Sequence, residues 1–242
     1  MRPLLAMLFL AYCPFAAAQS PDEIVQAFFG PSGVVDKDAS YTGEMLRFKE
    51  QPTLGETLPK GVSITTRPLL STDTNVVIGV TLAIPEHAQD WYAYFRKSEG
   101  RWRLEAVRTL ALTGIPSMVL AQLEEKQNRS SEEEWTLQNL RLLFKSDAEL
   151  MVLLKSHSER LGKIITLIPD DHAAAVQATR DLHFASVEKT SSGLIEFVIG
   201  GLVDNSVGIL WVPPGMVPPH MSPDSYILVE HVVGSWYLFK TT

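Results

Sequence analysis

The chain has 242 residues, 45% hydrophobic and 20% charged, with 21 lysines and arginines against 28 aspartates and glutamates. This balance excludes a disordered tail, a collagen-like chain and a polytopic membrane protein. A net charge of −7 gives no electrostatic drive toward nucleic acid or anionic lipid.

Residues 1–18 read as an export signal. Arg2 supplies the positive end, Leu4 to Ala11 an apolar run too short to cross a bilayer, and Ala16-Ala17-Ala18 the small residues that a signal peptidase accepts. Cleavage before Gln19 and a periplasmic or secreted mature protein are the expectation. The competing reading is a lipobox at Leu10-Ala11-Tyr12-Cys13 that would anchor the chain through an acylated Cys13, although Tyr12 stands where a small residue is wanted. Cys13 is the only cysteine, so a chain starting at Gln19 has no disulfide and relies on its core alone, which suits a bacterial periplasm. In the remainder no apolar run is long enough to span a membrane, and Glu196 interrupts the best one, Leu194 to Val203.

Three regions follow. Residues 19–113 open with a helix, because Ser20-Pro21-Asp22-Glu23 combines a capping serine, a proline at the first helical position and a glutamate three residues after the cap. Gly30-Pro31 ends it. Extended segments rich in β-branched and aromatic residues come next, near Val62 to Arg67, Asn75 to Ile84, Asp90 to Ser98 and Arg101 to Leu110, and predict an antiparallel meander.

Residues 114–183 change period. Met118 to Gln127 is helix-like, Ser131-Glu132-Glu133-Glu134 and Ser146-Asp147-Ala148-Glu149 are capping boxes, and Leu150, Leu154, Leu161, Ile165 and Ile168 trace one apolar stripe that Pro169 ends. Asp170-Asp171 would cap a last helix running through Leu182. Residues 184–242 return to strands at Leu194 to Val203, Val207 to Val212, Tyr226 to Val233 and Trp236 to Thr241, with two-residue turns expected at Asp204-Asn205 and Gly234-Ser235. The whole is an α+β arrangement: an antiparallel meander, a central helical layer and a second C-terminal antiparallel meander. Gly100-Arg101-Trp102-Arg103-Leu104 and Gly234-Ser235-Trp236-Tyr237-Leu238 share the pattern Gly-x-Trp-x-Leu, which convergent hairpin chemistry explains more simply than a duplication.

The search for chemistry is mostly negative. There is no nucleophile elbow, P-loop, dinucleotide fingerprint or zinc-protease motif, and the six histidines are scattered, so no catalytic residue, metal ligand or cofactor is assigned. Asp170-Asp171-His172 is read as a helix cap before a metal site. Met216, His220 and Met221 in the proline-rich run could suit copper, but are read as strand-covering side chains.

The candidate binding surface is on the hairpin Trp91 to Arg108. A two-residue turn at Glu99-Gly100 would put Trp91, Ala93, Phe95, Trp102, Leu104 and Ala106 on the core face. The other face would carry Tyr92, Tyr94, Arg96, Arg101, Arg103 and Glu105, a mixture suited to an acidic partner or small anionic ligand.

The opening helix at Pro21 to Phe29 and the segment Trp91 to Val107 (WYAYFRKSEGRWRLEAV) resemble those of secreted nuclear-transport-factor-two-like (cystatin-like) proteins, over about a third of the chain. The resemblance implies a helix packed on an antiparallel sheet. Only one short helix precedes the sheet, and the catalytic Asp/His pair of that family's enzymes has no match, so no activity is implied. The sequence therefore predicts an exported, non-catalytic protein of the bacterial envelope that binds an envelope protein or small anionic ligand. The alternatives are an envelope hydrolase with a site assembled from distant residues, and an inhibitor or immunity-type protein. A pocket holding two carboxylates or a Ser/His pair would favour the enzyme.

Overall fold

The computed structural model describes residues 19–84 and 87–242; the expected signal and Cys13 lie outside them. Helix α1 (Pro21–Phe29) forms as the sequence predicts, with Ser20 and Glu23 making a reciprocal capping box. It buries Ile24, Val25, Phe28 and Phe29, one helical face. Two four-residue helices, α2 (Lys37–Ser40) and α3 (Leu54–Thr57), and a 3-10 turn at Gly43–Phe48 follow. Such short elements leave no periodic signal in sequence.

The first sheet is the expected meander, β1 (Ser63–Ser71), β2 (Asn75–Ile84), β3 (His87–Ser98) and β4 (Arg101–Thr109), paired in sequence order. Glu99 and Gly100 make the β3–β4 turn, with φ of 52° and 75°. Positive φ at both positions matches the right-handed twist of the strands.

Unlike a half-solvated meander, this sheet is covered on both faces. One face carries Ile78, Val80, Ala93, Phe95 and Leu104 against α1 and its neighbours; the other carries Val77, Tyr92, Tyr94 and Ala106 into the main core. Ala106 thus corrects the expected alternation. The pairing shifts between Tyr94 and Phe95, which face Ala106 and Leu104, so Glu105 is an extra residue on β4. Ala93 consequently faces Val107, and it is Val107 that joins the N-terminal core.

Helices α4 (Gly114–Glu125), α5 (Ser131–Leu143), α6 (Asp147–Leu167) and α7 (His172–Arg180) form the middle layer. The box expected at Ser131 lies one residue earlier, with Ser130 as the cap, Glu133 as its partner and Ser131 the first residue of α5; Ser146 and Glu149 pair as expected, and Asp171 caps α7 through the Ala174 amide. Leu150, Leu154 and Leu161 of the expected stripe are buried, but toward the end of α6 Ile164 takes the buried position and Ile165 and Ile168 are half-buried.

The second sheet comprises β5 (Ser186–Lys189), β6 (Ile195–Leu202), β7 (Asn205–Trp211), β8 (Tyr226–Val233) and β9 (Trp236–Thr241). Its order, β5-β6-β7-β9-β8, departs from a simple meander, because the last strand inserts beside β7 and β8 takes the edge. The run from Pro213 to Pro223 between β7 and β8, poor in backbone donors, gives the chain the length to reach that edge before it doubles back. The β6–β7 turn is Val203-Asp204 rather than Asp204-Asn205, since Leu202 pairs with Asn205. Val203 there has a φ of 53° and is almost wholly exposed.

Candidate ligand-binding site

The N-terminal layer packs on the first sheet but not tightly enough to fill the space between. Gly55 fixes the distance between α1 and α3. A Cβ on it would stand 2.1 Å from the Gly30 carbonyl oxygen and 2.3 Å from the Phe29 carbonyl carbon, so no other residue permits this approach without movement. Thr42 donates its amide to the Leu104 carbonyl at 2.9 Å and pins the chain to the free edge of β4.

Between α1, the 3-10 turn and α3 on one side and β3 and β4 on the other lies a partly open cavity of about 470 Å³. That volume is within the range of small-molecule sites. Its apolar walls are Phe28, Tyr41, Met45, Phe48, Trp91 and Val107. The Trp91 indole N–H is buried beside it with no acceptor in the protein, an uncompensated donor worth about 1–3 kcal/mol. Burial, helped by the Glu56 charge, pushes the Tyr41 hydroxyl up to about 12. At the rim, Arg108 forms a two-pronged pair with Glu44 and donates from Nε to the Pro223 carbonyl at 2.7 Å. Hydrogen bonding to Glu44 raises the Arg108 pKa. Arg47, also on the rim, is exposed and has no ion-pair partner among the described residues.

A second constellation, invisible in the linear sequence, joins the layers. Asp147, the first residue of α6, is fully buried and accepts from the Tyr92 hydroxyl at 2.9 and 3.0 Å. Lys240 Nζ of β9 is 2.7 Å from its carboxylate, and Arg67 of β1 completes the set. Arg67 also pairs with Glu230 of β8 at 3.0 Å. Asp90 takes the Asp147 amide at 2.7 Å and the Thr81 hydroxyl at 2.6 Å, so a side chain of the first sheet caps a middle-layer helix. Burial raises the Asp147 pKa, but Lys240 and Arg67 outweigh it and hold the carboxyl below the usual aspartate value. Tyr92 is pushed well up by burial and by the Asp147 and Asp90 charges. Asp90 and Lys240 touch a small cleft of about 230 Å³, yet the carboxylate and the ammonium are both spent on internal partners. The cluster is a joint between sheets and helix.

Of the six residues expected to form a binding face, two are elsewhere. Tyr92 and Tyr94 are 0% and 4% exposed, and Tyr94 donates to the Ile227 carbonyl of β8 at 2.8 Å. The expectation fails because the second sheet lies over this half of the face. Beyond its cover, Arg96 pairs with Glu105 at 2.6 Å and Arg103 with Glu99 at 2.8 Å, while Arg101 is exposed. Arg96 does face Arg103 across the strands, but their charges are neutralised locally. In the proline-rich run, the Met216 thioether lies beside Gly193, and Met221 packs against the main core.

No family model, curated protein or solved structure matches this chain.

Proposed function

We propose that this is a non-catalytic binding protein of the bacterial cell envelope whose ligand is a small, largely apolar molecule held between the N-terminal layer and the first sheet. The observation that carries this reading is the aromatic-walled cavity of about 470 Å³, beside which the Trp91 indole has no acceptor. Its lining contains one carboxylate, Glu44, which Arg108 occupies, and no Ser/His pair among the described residues. Those features favour capture over acid/base chemistry. The resemblance to nuclear-transport-factor-two-like proteins points the same way, since its two segments, Pro21 to Phe29 and Trp91 to Val107, supply walls on opposite sides of the cavity. An envelope location rests on residues 1–18 and requires a mature chain whose intact mass begins at Gln19.

Titration with the neutral dye N-phenylnaphthylamine tests the site. Saturable one-to-one binding, with amide NMR shifts concentrated at Phe28, Met45, Trp91 and Val107, is the expected result. Shifts concentrated elsewhere would refute the assignment.

A further inference from the structure

Taking this cavity as the ligand site, we infer that its occupant is a single-chain anionic amphiphile, with an apolar tail of about ten carbons inside and a carboxylate-type head at Arg47. Three observations converge on that chemistry.

The first is size. At about 30 Å³ for a water-sized group, a cavity of about 470 Å³ holds about fifteen heavy atoms, which is one medium acyl or alkyl chain and not a two-chain lipid. The second is the lining. Phe28, Met45, Phe48 and Val107 give an apolar tail its contacts, while Gln51, Thr53 and Thr57 add polar groups to the same lining.

Charge is the third observation. Glu44 and Arg108 neutralise one another through paired contacts, and Arg108 is further tied to the Pro223 carbonyl. Arg47 alone is left over. Arg108 also has Asp224 at 3.7 Å, so Arg47 is the one cation of the lining with no acidic partner among the described residues. A guanidinium offers a carboxylate two parallel donors, an alcohol less and a quaternary ammonium only repulsion. Because Arg47 is exposed, its contribution is that of a surface pair, about fivefold in affinity.

Calorimetric titration of the protein at low salt with decanoate and decyltrimethylammonium below their micelle concentrations, and with decanol below its solubility limit, tests this. Decanoate should bind about fivefold tighter than decanol and the ammonium most weakly, and Arg47→Gln should erase the difference between the first two. Equal affinities for decanoate and decanol in the unaltered protein, or a preference that survives Arg47→Gln in a variant with an unchanged circular dichroism spectrum, would overturn the anionic head and leave the cavity reading intact. If none of the three binds, the cavity reading itself is overturned.

Discussion

Replacing Asp147 with asparagine preserves the shape of the side chain and removes one charge from the centre of the interlayer joint. Three partners respond differently. Tyr92 keeps an amide oxygen within reach, since its hydroxyl is 3.0 Å from Oδ1 and 2.9 Å from Oδ2. Arg67 keeps Glu230, at 3.0 Å. Lys240 loses its counter-charge: its side chain is 6% exposed, and Asp147, at 2.7 Å, is its sole ion-pair partner among the described residues, which leaves it a neutral amide oxygen and the Tyr92 ring 5.7 Å away. Stranding one member of a buried pair costs about 3–5 kcal/mol, and the lost negative charge at the start of α6 adds a few tenths. With two of three partners still served, the lower end applies, about 3 kcal/mol. In a domain of this size that lowers the melting temperature by about 6–12 °C. Urea unfolding followed by circular dichroism, with calorimetry for the midpoint, measures it. Adding Lys240→Met removes the stranded cation and should restore part of the loss, so that the two substitutions couple by about 1.5 kcal/mol or more. A loss below about 1 kcal/mol for Asp147→Asn, or strict additivity of the pair, would refute the assignment of this cluster as the joint between layers.

Two further consequences concern pH and the N-terminal layer. Tyr41 titrates at about 12 when folded and near 10 when unfolded, so its contribution to stability is complete below about 10 and is lost as pH rises from there through about 12. The tyrosinate absorbance of the folded protein should therefore develop late, and early full ionisation would contradict the burial of Tyr41, Tyr92 and Tyr94. Gly55→Ala forces apart backbones that approach within 2.1 Å of the added Cβ, at a cost of about 1–3 kcal/mol. Because α3 helps wall the cavity, the same variant should bind N-phenylnaphthylamine more weakly, with unchanged dye binding as the refuting result.

Much of the fold is legible because its signals are local. Ser20, Ser146 and Asp171 cap helices that begin where their side chains can reach the next turn's amides, and the box expected at Ser131 is displaced by one residue because Ser130 and Glu133 have the same spacing. Glu99-Gly100 and Gly234-Ser235 turn where the strands on either side demand it. Tyr92 and Tyr94 depart from the expected solvated face because the second sheet covers it, which alternation along one hairpin does not reveal. Asp90 to Phe95 contains no alternating polar residue after its first position, and such a run belongs to a strand covered on both faces. The bulge at Glu105 had no sequence mark, and it alone exchanged Ala106 for Val107 in the N-terminal core. The ionic joint was unreadable for a different reason. Arg67, Asp90, Asp147, Glu230 and Lys240 come from five elements, and each taken singly is an ordinary charge. One trace remained: Arg67 and Lys240 interrupt strands that are otherwise apolar or neutral, where a charge is tolerated only with a partner.

The two constellations also divide the work of the molecule. The ionic joint and the main core bind the first sheet, the helices and the second sheet into a single packed body. The N-terminal layer has a hydrophobic cluster of its own on the opposite face of the first sheet. It is fastened by one backbone pairing at the β4 edge and by the Glu44–Arg108 pair. Local opening is cheapest where elements are short and their contacts few. Here two of the three helices span four residues each. Separation of this layer from the sheet would expose the cavity without disturbing Asp147 or Lys240, which lie across the sheet in the other core. Entry of the proposed ligand would then need no global unfolding, and Asp147→Asn should lower the melting temperature while leaving decanoate affinity unchanged.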